Sequence, residues 1–235
     1  MAQMIQFPRP DGKNISGYYV EPESGAAGAP GLVVIQEWWG LNTQIKGVAE
    51  RFAAAGYRVL VPDLYRGTVT IDAKEAEHLM HGLDFGDAAG QDVRGAVAYL
   101  KRGSAKVGIN GYCMGGALAL LAAANVPEAD AVTTWHGYPP LEYLDATKIK
   151  APLLCHFATD DAFFPIEGVP ALEKKLADAG VRFQTHRYNA KHAFSNETAI
   201  DTKIPTRYHA GATAIAWQRT LEFFAEMLTK MLTKM

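Results

Sequence analysis

Residues 106–125 read "KVGINGYCMGGALALLAAAN". A run with strand character meets a run rich in small helix formers, and only a few residues separate them. A turn this tight forces its central residue into strained backbone angles, and side chains two positions before and after would clash. Gly111 and Gly115 remove that clash, and Gly116 lets the helix lie close on the strand. Strand, G-x-C-x-G, then helix is the pattern of a nucleophile elbow, with the Cys113 sulfur lifted above the end of a strand. The helix N-terminus behind it favours thiolate over thiol. The backbone N–H of Met114 points to the same place as one oxyanion donor. The competing interpretation is a structural turn with a buried thiol, since free cysteine is often buried.

The rest of the chain repeats the alternation. "MIQFP" and "ISGYYVEP" flank the turn-rich "RPDGKN" and predict a hairpin. "GAAGAP" is a loop of small residues before "GLVVIQE", a short apolar run of the kind buried on both faces of a sheet. Helical spacing covers 42–55, followed by the strand "YRVLVPDL". Two helical stretches fill 72–102, with a break near "DFGD". "DAVTTWHG", "APLLCHFA" and "VRFQTHRY" are further strands, and "GVPALEKKLADAG" is a helix with Pro170 in its first turn. A last helix runs from about Ala210 to Leu228, and the tandem "MLTKMLTK" extends it. Strands alternating with helices predict a three-layer α/β sandwich, with a mostly parallel central sheet and an antiparallel N-terminal edge, as one domain over 1–235. Sites in such sheets lie beyond the carboxyl ends of the strands.

A nucleophile in this setting needs a base and a group that orients the base, in the order nucleophile, acid, histidine. "HFATDDAFFP" follows a strand and offers Asp160 and Asp161, of which Asp161 is the better placed, four residues before Pro165. "NAKHAFSN" follows the last strand and offers His192. His192 would take the sulfur's proton, and the aspartate would fix its tautomer.

Composition excludes several classes. The 235 residues are 49% hydrophobic and 20% charged, with a net charge of −2, so nothing draws the chain to nucleic acid or anionic lipid. No run reaches the roughly 18 apolar residues of a membrane span, and the N-terminus lacks the apolar core of a signal peptide. Two cysteines, Cys113 and Cys155, are too few for a disulfide framework, and no C-x-x-C pair suggests zinc. The expectation is a cytoplasmic protein, monomeric or weakly self-associating, with a small-molecule partner and no metal or cofactor. His78 and His81 have metal-like spacing, but a solvated helix face explains them better. Cys155 reads as core.

At this point the residues resemble the dienelactone hydrolase (carboxymethylenebutenolidase) family of α/β-hydrolases. The likeness is carried by "VVIQEWWGLN", "AAAGYRVLVPDLYRG", "GYCMGGALA", and "HFATDDAFFP" with "AKHAFSN", in family order over nearly the whole chain. It implies Cys113 as nucleophile, Asp161 as acid, His192 as base, and Glu37 as a carboxylate that contacts the resting thiol. It implies the N–H groups of Trp38 and Met114 as oxyanion donors. The implied chemistry is hydrolysis of an ester or lactone through a thioester, with a thioesterase, an acyltransferase or a ligand-binding pseudoenzyme as alternatives. Trp39, Arg66, Trp135 and Asn196 are candidate substrate contacts. Two departures bear on substrate. Ala73 and Asn196 stand where the family holds a substrate carboxylate with arginines, and Arg66 and Arg207 are the nearest candidates to replace them.

Overall fold

Turn residues and apolar alternation make the first hairpin: β1 (Ala2–Pro8) pairs antiparallel with β2 (Asn14–Val20). The computed structural model describes residues 1–23, 27–200 and 204–229. Residues 25–26 of "GAAGAP" and the extension of the tandem "MLTKMLTK" past residue 229 lie outside the described residues. The remaining strands are β3 (Gly31–Ile35), β4 (Arg58–Pro62), β5 (Val107–Tyr112), β6 (Ala131–Trp135), β7 (Leu153–Asp160) and β8 (Phe183–Lys191). The helices are α1 (Thr43–Ala54), α2 (Ala73–His81), α3 (Phe85–Asp87), α4 (Arg94–Lys101), α5 (Met114–Asn125), α6 (Val169–Asp178) and α7 (Ala210–Phe224). A π-helical segment, Ala88–Val93, joins α3 to α4, and another, Ala225–Thr229, continues α7.

The eight strands form one sheet in the order β1-β2-β4-β3-β5-β6-β7-β8. The β1/β2 and β2/β4 pairs are antiparallel and all others parallel. Six parallel strands, β4, β3, β5, β6, β7 and β8, therefore end at the same rim. This is the α/β sandwich with the mixed edge that the sequence pattern predicts.

Side-chain alternation assigns the two faces. Leu32 and Val34 of β3 join Ile45 and Phe52 of α1 and Phe224 of α7. Val33 and Ile35 join Val97 and Leu100 of α4 and Leu118 of α5. The sheet is thus buried on both sides, which is why β3 reads as an unbroken apolar run. Local signals start the helices. Asn42 caps α1 by accepting from Ile45 N at 3.0 Å, and Asp72 caps α2 by accepting from Lys74 N and Glu75 N, both at 3.0 Å. Among the described residues, no helix is long and apolar enough to cross a membrane.

An ion network ties the hairpin to the helical arm that carries Phe85. Arg9, 8% exposed, reaches Asp92 at 2.9 Å, Asp87 at 2.9 Å and Asp11 at 2.7 Å. Arg66 meets the same Asp92 at 2.9 Å. Removing Arg9 leaves the buried Asp92 with Arg66 alone and takes the guanidinium away from Asp11 and Asp87. Arg9→Ala is expected to lower unfolding free energy by about 3 kcal/mol, read as a lower urea midpoint at unchanged slope. Arg9→Lys recovers only part of this, because an ammonium cannot span three carboxylates as the guanidinium fork does.

Candidate active site

The turn after β5 places Cys113 at φ 54° and ψ −121°, at the N-terminus of α5. Its N–H donates to Trp135 O at 2.9 Å, and its carbonyl accepts from Gly116 N at 2.8 Å and Ala117 N at 3.1 Å. A Cβ on Gly111 would overlap the carbonyl of Gly115, and one on Gly115 would overlap the carbonyls of Ile35 and Gln36. Glycine at both positions lets the first turn of α5 press against the end of β3, which brings Cys113 and Glu37 to the same cavity.

His192 follows β8 directly, and Asp161 follows β7 directly. His192 Nε2 lies 3.1 Å from Cys113 Sγ, and its Nδ1 lies 2.8 Å from Asp161 Oδ2. The other carboxylate oxygen of Asp161 accepts from Phe163 N and Phe164 N, both at 2.9 Å. That grip fixes the carboxylate that fixes the ring. Asp160 is exposed and turns away from the cluster. The backbone after His192 is pinned as well: Arg207 N donates to His192 O at 3.1 Å, and Ala193 sits at φ 56°.

The imidazole is walled by other rings. Phe164 stacks on it at 5.6 Å, Phe163 tilts against it at 4.9 Å, and His136 meets it edge-on at 4.9 Å. Burial works to lower the basicity of His192, but the neighbouring Cys113 sulfur and the Asp161 carboxylate outweigh it, and the ring is pushed up to about 10. His136 goes the other way. It is fully buried, bonded through Nε2 to Ser195 Oγ at 2.9 Å, and both burial and His192 hold it well below the ordinary imidazole range. Like Cys113 and Ala193, it has a positive φ, 40°.

Glu37 lies two residues beyond β3 and is 5% exposed. Its Oε2 accepts from Asn196 Nδ2 at 2.5 Å, and burial raises its carboxyl above the usual range. Asn196 in turn accepts at Oδ1 from Thr198 N at 3.0 Å and Thr198 Oγ1 at 2.7 Å. The bond to Sγ comes from His192 and that to Glu37 from Asn196, so the resting arrangement differs from a carboxylate held on the thiol.

These groups open into a cavity of about 860 Å³. Cys113, His192, Glu37, Asn196, Trp38, Trp39 and Met114 all line it, as does Ala73. Two candidate contacts do not. Arg66 is turned to Asp92 and to Asp63 O at 2.9 Å, because a buried carboxylate is the stronger attractor for its guanidinium. Trp135 has no exposure. It shares the strand parity of Ala131, faces the α1/α7 layer, and donates from Nε1 to Asn110 Oδ1 at 3.1 Å. Arg207 lines a separate, smaller concavity with Asp160 and His209. Cys155 is buried in the core, and His78 and His81 are exposed on α2. Among the described residues, no group of three or more His, Cys, Asp or Glu side chains is placed to hold a metal ion. Sequence reasoning missed the His136–Ser195 pair and the aromatic clamp. The two phenylalanines directly after the acid, in "DDAFFP", were the available signal for the clamp.

A mixed sheet with helices on both faces, and a Cys–His–Asp chain at the parallel strand ends, defines an α/β-hydrolase. The profile of the dienelactone hydrolase family matches residues 15–228, and the chain belongs to that family. Protein usf of Aquifex pyrophilus is 33% identical over 243 residues, covering 97% of this chain and 100% of that one. The carboxymethylenebutenolidase of Rhodococcus opacus is 28% identical over 226 residues, covering 90% and 86%. The structure of a dienelactone hydrolase-like promiscuous phosphotriesterase from metagenomic libraries superposes with a TM-score of 0.85 at 26% identity, covering 97% of this chain and 98% of that one.

The raised value of His192 means the folded state binds that proton more tightly than the unfolded chain. Its contribution to stability is full below pH 6.5 and is lost as pH rises through about 10. Followed by NMR, the His192 ring is expected to titrate near the upper value in the native protein. In Cys113→Ala it should titrate well below it, because the sulfur's charge is gone.

Proposed function

We propose that the protein hydrolyses carboxylic esters or lactones through a thioester on Cys113. The single observation that carries this is the linked chain of Sγ, imidazole and carboxylate, with steps of 3.1 Å and 2.8 Å, open to a cavity large enough for a small molecule. The name of the Rhodococcus opacus relative, a carboxymethylenebutenolidase, supports lactone opening.

In this mechanism the thiolate attacks the carbonyl carbon, and a C–S bond forms. The N–H groups of Met114 and Trp38 stabilise the oxyanion. Collapse breaks the C–O bond, and the imidazolium of His192 gives its Nε2 proton to the leaving oxygen. His192 then takes a proton from water, the hydroxide attacks the thioester, and the thiolate departs. Asp161 keeps Nδ1 protonated and stabilises the imidazolium at each stage. Glu37 adds a second carboxyl near the same ring, with Asn196 holding it.

Cys113→Ala is expected to lower kcat/KM for 4-nitrophenyl acetate by at least about a thousandfold, with an unchanged circular dichroism spectrum. Cys113→Ser should lose at least about a hundredfold, since serine gives no accessible anion at neutral pH. Quenched wild-type reactions should carry the acetyl group on Cys113 by mass spectrometry. Undiminished turnover by Cys113→Ala would end this mechanism.

A further inference from the structure

The cavity is not uniform. Its inner end carries Cys113, His192, Glu37 and Asn196, and its walls are apolar: Trp39, Met80, Phe85, Tyr138 and Phe164. Its mouth is apolar too. Ile71, Ile200 and Phe163 line it while being 97%, 67% and 39% exposed. Exposed large hydrophobics gathered around an opening mark a binding surface rather than scattered surface residues. Ile71 is placed there by main-chain pairing, with a bridge between Gly40 and Val69 and a bond from Thr70 N to Trp39 O at 3.1 Å.

The charges around the cavity do not recruit an anion. Glu37 is a buried acid at the same end of the cavity, held by Asn196. Asn196 gives one N–H to Glu37, and its side-chain oxygen accepts from Thr198. Lys74 and Asp72 both line the mouth and oppose one another in sign, and among the described residues no arginine lines the cavity. A carboxylate lying along the apolar walls, away from the imidazole, would lose hydration with no arginine among the described lining residues to replace it, whereas each buried methylene gains roughly fourfold in binding.

We infer that the preferred substrates are neutral esters bearing a linear hydrocarbon of on the order of six to ten carbons, laid along Trp39, Met80 and Phe85 and emerging over Ile71. This rests on the proposed role of Cys113 and assigns Ile71 as a specificity-determining residue. The hydrocarbon belongs either to the acyl or to the alcohol side, and two substrate series separate these.

The test measures kcat/KM for 4-nitrophenyl esters from acetate to octanoate, and for alkyl acetates from ethyl to octyl. The expected result is a rise of about tenfold or more along at least one series, carried mainly by KM. The 4-nitrophenyl monoester of suberic acid, similar in length but ending in a carboxylate, is expected to be about a hundredfold poorer than the octanoate. Ile71→Asp should lower the octanoate-to-acetate ratio about tenfold. Flat or falling profiles in both series, or equal turnover of the suberate monoester, would overturn the inference. If acetate hydrolysis depends on Cys113 while chain length has no effect, only this substrate assignment falls. If acetate hydrolysis survives Cys113→Ala, or no ester is turned over, the role given to Cys113 falls and takes the assignment with it.

Discussion

The close approach of α5 to the end of β3 is the constraint on which the rest of the site depends. Without a Cβ at Gly111 or Gly115, the helix starts against the carbonyls of Ile35 and Gln36, and Cys113 is held at φ 54° between strand and helix. A non-glycine residue held in so sparsely populated a backbone region costs on the order of 1–3 kcal/mol. Three of the four non-glycine residues with positive φ among the described residues, Cys113, His136 and Ala193, belong to the site or pack against it. The surrounding sheet and helices hold that strain, which is how a fold keeps reactive groups where a relaxed chain would not leave them.

Parallel strand ends do the rest of the positioning. Asp161 and His192 are the first residues after β7 and β8, and Cys113 is the first after β5. Residues far apart in the chain therefore meet because their strands share a direction, not because of any local sequence relation. The side chains are then locked individually: the carboxylate by two backbone N–H groups, the ring by Phe163, Phe164 and His136, and Glu37 by Asn196.

What was legible in the sequence follows from this. Most elements announced themselves through apolar period and glycines, so the order of strands and longer helices could be read directly, but the break expected near "DFGD" falls earlier, and α3 and the π-helical segment occupy 85–93. The meeting of Cys113, His192 and Asp161 followed once the sheet was known to be parallel. Side-chain partners across the fold were less accessible. No pattern pairs Glu37 with Asn196, 159 positions away, or turns Arg66 toward Asp92. Trp135 was misplaced because a strand's alternation reveals two faces without saying which one borders the opening. Met80 and Phe85 showed apolar character, but helical period alone does not say whether a side chain meets core or cavity.

The bridge between Gly40 and Val69 separates two jobs in this molecule. The chemistry proposed for this site is mounted on strand ends, while the opening is framed by loops stitched to each other at the surface. Descendants of such a chain can retailor the entrance, residue by residue around positions 69–71, with little disturbance to the sulfur, ring and carboxylate below. One scaffold can in this way pass through many diets while keeping a single set of teeth.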